Sequence, residues 1–534
     1  MQAETLSGAT PVAARRSPGA WARLQALSER TWVAAGLLLL WLGCTAGLRP
    51  LMLPDEGRYV GVARHMLDSG DWLTPMLDGL PFFHKPPLFY WLSAGSMALL
   101  GGSEFAARLP SLLAAWVACL ALFLFVRRWA DARLARSSLL ALALQPMLFC
   151  GAQFANLDML VAGAITVTVL ALAHAQLCRE QGLPYRAALL AAYLLAALGV
   201  LAKGLIGLAL PGLVVIAWLL ARGRWRQIVG LLWLPGWLAF LLVAAPWFVL
   251  EQQRYPGFLH YVFVEQQFQR FAGTGFNNVQ PLWFYPAVLA AFSLPWLYWM
   301  LRHLRDAARD LGSPPPVPQH PVNVLMWAWP AVVLLFFSLP QSKLIGYILP
   351  AVPPLAYWAA AALHVSDEPT RAQRTGWRWS QGLALACCLA IVATLAIRHT
   401  HSARAIGRAL AASRQPGEPV LMVGAFAYDV PQYAGLHEPV LAVDDWRPEL
   451  MRQRDDWARE LADASLFDPR RGGELLLAPQ QVPALLCRGH AAWAVTQRDS
   501  IKLLKGLAHP ALVATQGEWQ LWRLPPQACP ESGR

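Results

Sequence analysis

Apolar runs recur along the chain at about 32–48, 88–101, 108–126, 137–155, 159–177, 187–202, 204–221, 228–250, 281–301, 323–339, 344–364 and 380–397. Most are long enough to cross a bilayer as helices, which predicts a mainly α, polytopic membrane protein. The run 88–101 is the exception. It lies between Pro86-Pro87 and Gly101-Gly102 and is shorter than the roughly 20 residues a crossing needs, so an interfacial or re-entrant helix is expected there. Beyond about His399 the pattern turns polar and mixed. Strand-like Pro419–Gly424 and Gly473–Leu477 flank a helical stretch, Pro448–Leu461, and predict a small α/β domain over 399–534.

Composition supports a membrane protein: 56% of residues are apolar, 14% are charged, and the mean hydropathy is +0.39. A net charge of +12 suggests nucleic-acid binding until its distribution is considered. Arginines cluster in short connections: Arg127/Arg128/Arg133/Arg136, Arg179/Arg186, Arg222/Arg224/Arg226, Arg302/Arg305/Arg309 and Arg371/Arg374/Arg378. With a cytoplasmic segment 1–30 and a non-crossing 88–101, all five clusters face the cytoplasm, as the positive-inside rule asks. If 88–101 crosses, all five face out. The expected layout is a transmembrane domain over 31–398, with 49–107 as its first outer loop. The first apolar run reads as an uncleaved helix despite the small residues Cys44–Gly47 at its end. The eight cysteines show no metal spacing. Cys487 and Cys529 fall in the polar C-terminal region, where they are candidates for a disulfide.

This topology gathers the chain's unusual polar residues on the outer face. Only five lysines accompany 39 arginines, and Lys85, Lys203 and Lys343 all sit at span boundaries on that face. Snorkelling explains single lysines there; a cationic site for an anionic head group explains the three together. Asp55-Glu56 follows the first span directly. A helix N-terminus accounts for one carboxylate better than for two adjacent ones, so both are candidate site residues. Asp158 in Asn156-Leu157-Asp158 and Lys203 in Ala202-Lys203-Gly204 lie where spans meet, in turns that bring them to the same face. Arg270, in Glu265–Phe271, has the planar fork suited to a phosphate. Trp283-Phe284-Tyr285 reads as an aromatic belt. Lys343 and Tyr347 lie four residues apart, on one helical face.

The ordered set Pro54-Asp55-Glu56-x-Arg58-Tyr59, Lys85-Pro86-Pro87, Asn156-Leu157-Asp158, Lys203-Gly204, Arg270-Phe271, Trp283-Phe284-Tyr285 and Lys343-Leu344-x-x-Tyr347-x-Leu349-Pro350 resembles the bacterial aminoarabinose transferases of lipid A. These belong to the wider protein-mannosyltransferase-like, polyprenyl-phosphate-dependent glycosyltransferases of the GT-C fold. The resemblance covers roughly residues 30–365. It implies about 11–13 transmembrane helices, juxtamembrane helices in the first periplasmic loop, a lipid-linked sugar donor and an active site on the periplasmic face of the inner membrane. Carried over by position, Asp55 is the leading catalytic carboxylate, and Lys85 with Arg270 is the clamp on the donor phosphate. Asp158, Lys203 and Tyr347 become active-site residues, with Arg58 and Tyr59 supporting the first loop.

The chain departs from the family in three places. His84 stands where many members have Glu before Lys-Pro. Gln266-Gln267 replaces a Glu-His pair, and Asn278 replaces a histidine that often precedes the Trp-aromatic-Tyr run. These changes weaken a metal site built from that Glu and His. No cofactor is required by this reading, and a divalent metal is left open. The expected function is transfer of a sugar, with 4-amino-4-deoxy-L-arabinose the leading candidate, from undecaprenyl phosphate to lipid A or a related envelope glycolipid, by a monomer. Transfer to a protein hydroxyl is the enzymatic rival, and a polyprenyl-lipid transporter is the rival of another class. A transporter predicts internal repeats and mid-span polar residues, whereas this chain concentrates its ionisable groups at one interface.

Overall fold

The computed structural model describes residues 31–269, 278–309, 320–365, 368–398, 401–487, 489, 491–504, 507 and 509–527. Arg270 and Phe271, with their expected phosphate contact, lie outside the described residues, as does Cys529. Among the described residues seven helices are long and apolar enough to cross a membrane, or nine if two bent pairs each count as one span. The pairs are Ala132–Ala143 with Pro146–Ala152, bent by 61°, and Phe284–Phe292 with Leu294–Arg309, bent by 114°. Three shorter apolar helices, Thr31–Gly43, Leu88–Leu100 and Ile206–Ala221, bring the count close to the sequence expectation. Leu88–Leu100 has 13 residues; at 1.5 Å per residue it spans about 20 Å, too short for a bilayer core of about 30 Å.

The C-terminal region is a six-stranded mixed sheet. After a small hairpin of β1 (Met76–Leu77) and β2 (Leu80–Pro81) in the first loop, its strands are β3 (Val420–Val423), β4 (Leu441–Val443), β5 (Leu476–Leu477), β6 (Ala492–Gln497), β7 (Ala511–Gln516) and β8 (Trp519–Leu524). The order is β5-β4-β3-β6-β8-β7. The first four run parallel; β8 pairs antiparallel with both β6 and β7. Two local expectations are corrected. Gly473–Leu475 closes a helix, Pro469–Leu475, and only Leu476–Leu477 is strand. The stretch Pro448–Leu461 is two helices, Pro448–Met451 and Trp457–Ser465. The second starts where the Asp456 carboxylate accepts from the amides of Ala458 and Arg459, an N-cap that restarts the helix. The aromatic belt is also corrected in part: Trp283 is exposed, but Tyr285 is buried and donates to the Leu344 carbonyl at 3.2 Å.

One buried ionic cluster fixes the first loop to the membrane body. Helix Asp55–Ser69 begins at the acidic pair, but its two carboxylates part company. Glu56 is fully buried. Its oxygens accept from Arg108 Nε at 2.8 Å and Nη2 at 3.0 Å, from Arg49 Nη1 at 2.5 Å, and from the amides of Met52 at 2.8 Å and Ala155 at 2.7 Å. Arg108 also donates to the carbonyls of Ala46, Arg49 and Pro50, and Arg49 to that of Gln153. Burial alone raises the Glu56 pKa, but the guanidiniums of Arg108 and Arg49 outweigh it and hold the carboxyl at about 2. The catalytic role expected of Glu56 is therefore corrected. Every side of the carboxylate is occupied, and it ties residues 46–56 to helix Glu104–Trp129 and to the turn before Asp158.

Replacing Glu56 with Gln leaves two buried guanidiniums short of a counter-charge, and the expected cost is about 3–5 kcal/mol. The check is the folded fraction retained on heating in detergent, which should collapse at lower temperature than for the parent protein. Because the folded pKa is depressed, the stabilisation is complete above the ordinary value of 4.5 and is lost as pH falls towards about 2.

Candidate active site

Six separate stretches converge on one cleft, lined by Asp55, Arg58, Tyr59, Phe82, His84, Lys85, Asn156, Leu157, Asp158, Lys203, Leu344, Tyr347 and Glu460. Helix Asp55–Ser69 contributes the first three, and the segment after β2 contributes Phe82, His84 and Lys85. Phe83 fixes that segment from behind. Its ring packs edge-on against Tyr255, Phe258 and Phe467 at centroid distances of 5.1, 4.7 and 4.9 Å. His84 stacks on Phe82 at 4.9 Å with the rings within 5° of parallel.

Asp158 owes its position to a cap. The Asn156 side chain accepts from the Asp158 amide at 2.8 Å and starts helix Leu157–Glu180. Asp158 then sits in the first turn, where the helix dipole favours a carboxylate. Lys203 ends helix Arg186–Lys203, and Gly204 turns the chain with φ 86°; a cation suits that end of the dipole. The two side chains form an ion pair, largely buried. The ammonium of Lys203 also lies 4.2 Å from the centroid of the Tyr347 ring. Gly346 allows the approach: a Cβ there would overlap Asp158 Oδ2.

At the other wall Arg58 bridges two carboxylates, Asp55 Oδ1 through Nη2 and Glu460 Oε1 through Nη1. Its guanidinium lies 5.1 Å from the ring centroid of Tyr59 and 5.9 Å from that of Tyr428. His84 Nδ1 is 4.0 Å from Glu460 Oε1. Burial raises the Glu460 pKa, but Arg58 and then His84 bring it below its ordinary value, so Glu460 is ionised at neutral pH.

The sequence-predicted residues Asp55, Arg58, Tyr59, His84, Lys85, Asp158, Lys203 and Tyr347 therefore share one cleft. Glu56 and Lys343 do not. Lys343 is buried and its ammonium donates to the Gln280 carbonyl at 2.8 Å; its amide donates to the Asn278 carbonyl at 3.0 Å. Its expected donor-binding role is corrected to pinning segment 278–280 against 341–343. Asn278, one of the departures from the family pattern, adopts a φ of 66° at that junction, a backbone state asparagine tolerates. Glu460 is the residue that the sequence reading missed. It sits in an ordinary amphipathic helix, and no local signal marks it. Among the described residues no group of three His, Cys, Asp or Glu side chains is placed to hold a metal ion.

Residues 48–262 match the model of the family described as dolichyl-phosphate-mannose-protein mannosyltransferase. An undecaprenyl phosphate-alpha-4-amino-4-deoxy-L-arabinose arabinosyl transferase of Aeromonas salmonicida is 33% identical over 382 residues, covering 70% of this chain and 67% of that protein. The protein of the same name from Pseudomonas aeruginosa LESB58 is 34% identical over 317 residues, 59% of this chain and 56% of that one. The matches thus span from a little over half to two thirds of these relatives. In fold the chain is similar to ArnT from Cupriavidus metallidurans bound to undecaprenyl phosphate, with a TM-score of 0.78 at 23% identity over 92% of this chain and 98% of that one. The apo state of that protein gives a TM-score of 0.76. A helical GT-C architecture with a C-terminal sheet region, and identity of this extent to named relatives, lead to one conclusion: the chain belongs to the glycosyltransferase family of the undecaprenyl phosphate-alpha-4-amino-4-deoxy-L-arabinose arabinosyl transferases.

Proposed function

We propose that this protein transfers 4-amino-4-deoxy-L-arabinose from an undecaprenyl phosphate carrier to lipid A or a related envelope glycolipid, at the periplasmic face of the bacterial inner membrane. The observation that carries the reading is the gathering of Asp55, Lys85, Asp158, Lys203 and Tyr347 around one cleft at the ends of spans. The arginine clusters support a cytoplasmic N-terminus and a periplasmic cleft and C-terminal sheet region. The protein acts as a monomer in this reading.

An acceptor oxygen attacks the anomeric carbon of the sugar as the bond from that carbon to the carrier phosphate breaks. The leaving undecaprenyl phosphate gains negative charge. Lys85 stabilises that charge electrostatically, a task that the family pattern also assigns to Arg270. Asp158 holds Lys203 at the rim, where Tyr347 flanks it. Asp55 faces the acceptor side. For a hydroxyl acceptor it takes the proton; for a phosphate acceptor, already ionised, it holds the cationic amino group of the sugar instead. The mannosyltransferase family match over 48–262 supports a second reading, transfer to a protein hydroxyl. Mass spectrometry of envelope lipids and glycoproteins, from cells with and without the protein, separates the two by showing which acceptor gains the sugar mass.

Asp55→Asn and Lys85→Ala are each expected to abolish transfer in membranes at unchanged protein abundance; near-parental transfer by both would sink the site. Gly346→Ala places a methyl against Asp158 and is expected to lower transfer at least tenfold. A parental rate in that variant, measured with labelled donor, would show that Asp158 need not sit where it does.

A further inference from the structure

We propose that the C-terminal sheet region completes the active site, with Glu460 as a positioning residue that shares Arg58 with Asp55. This role presupposes the preceding assignment of Asp55 to the reacting centre. Glu460 and Arg58 are 402 positions apart in sequence, yet they meet at the wall of the cleft. The Glu460 carboxylate is held from its own side by the Tyr428 hydroxyl, which donates to Oε2 at 3.2 Å.

The geometry gives Glu460 a specific task. A guanidinium presents two parallel donors to a carboxylate whenever it is free to do so. Facing Asp55 alone, Arg58 would take both of its oxygens and neutralise it. Glu460 engages Nη1, so only Nη2 reaches Asp55, and only at Oδ1. Asp55 Oδ2 is left without a partner among the described residues and remains available to substrate. The rings of Tyr59 and Tyr428 limit the swing of the guanidinium between the two acids.

A second, independent observation concerns Gly57. A Cβ at that position would lie 2.8 Å from the Asp429 amide nitrogen and 2.9 Å from the Tyr428 carbonyl carbon. The first turn of the helix that bears Asp55 therefore meets the backbone of the sheet region with no room for a methyl group. Alanine there favours the helix intrinsically but separates Glu460 from Arg58.

The test is steady-state transfer from undecaprenyl phosphate-aminoarabinose by the full-length protein in detergent or nanodiscs. Glu460→Gln is expected to lower kcat at least tenfold with donor KM within about twofold, because donor contacts are untouched. Glu460→Asp, which keeps the charge, should recover much of the loss. Gly57→Ala should lower kcat similarly, and the double variant should be no worse than the poorer single one. Parental kcat in Glu460→Gln, or losses that multiply in the double variant, would overturn the positioning role. Hydrogen exchange of amides 55–61 is read in parallel and should quicken in Glu460→Gln and Gly57→Ala. If the parent protein transfers nothing from this donor, the proposed function fails, while unchanged exchange at 55–61 separately overturns the role of Glu460. Should Glu460→Gln fail to fold, Gly57→Ala decides, since parental turnover and exchange there would refute the docking.

Discussion

The structure depends on a carboxylate that takes no part in the cleft. Glu56 is fully buried between Arg49 and Arg108, and the backbone amides of Met52 and Ala155 fill its remaining acceptor positions. A buried ion cluster of this kind contributes little net stability compared with an apolar one, but separating its members is costly. Its consequence here is geometric. Residue 56 adjoins Asp55, and residue 155 precedes Asp158 by three positions. Asp55 and Asp158 are thus set at a fixed spacing by one charge behind them. Ser111 repeats the tie, since its hydroxyl donates to the Asn156 carbonyl at 3.0 Å. The loop that bears Asp55 is in this sense part of the membrane body.

In front of that frame the charges alternate. Asp158 faces Lys203, Asp55 faces Arg58, and Arg58 faces Glu460. A partly buried cleft strengthens each of these attractions and equally penalises any charge left alone. The pairs therefore balance one another within the cleft.

Much of this was legible in the sequence because of the solvent. Charged side chains at span ends are costly in lipid, so Asp55, Lys85, Asp158 and Lys203 stand out against apolar surroundings, and arginine placement sorts them to one face. The same rule could not tell Asp55 from Glu56, because neighbouring residues on a helix point in different directions. Nor could it tell Lys203, which ends at the cleft, from Lys343, which spends its donor on a carbonyl. In the C-terminal region the contrast is lost. A glutamate on an amphipathic helix is the usual case there, and only docking across the fold shows what Glu460 touches. The strand expected over Gly473–Leu477 failed for a related reason: a short apolar run does not by itself choose between helix and strand.

Asp55 and Asp158, two of the three carboxylates that reach the cleft, sit in different surroundings. Asp158 is locked by a helix N-terminus, by Lys203 and by the absence of a side chain at Gly346. It has little freedom to change partner. Asp55 is about a third exposed and keeps one oxygen unengaged among the described residues, because its arginine is divided with Glu460. Paired acids whose environments diverge in this way commonly divide their tasks, one fixed and one reactive. In the proposed mechanism Asp158 serves the cation beside it and Asp55 is the acid that meets the substrate. The sheet region matters for the same reason: Glu460, the third acid of the cleft, takes one side of the guanidinium and leaves Asp55 less committed than Asp158.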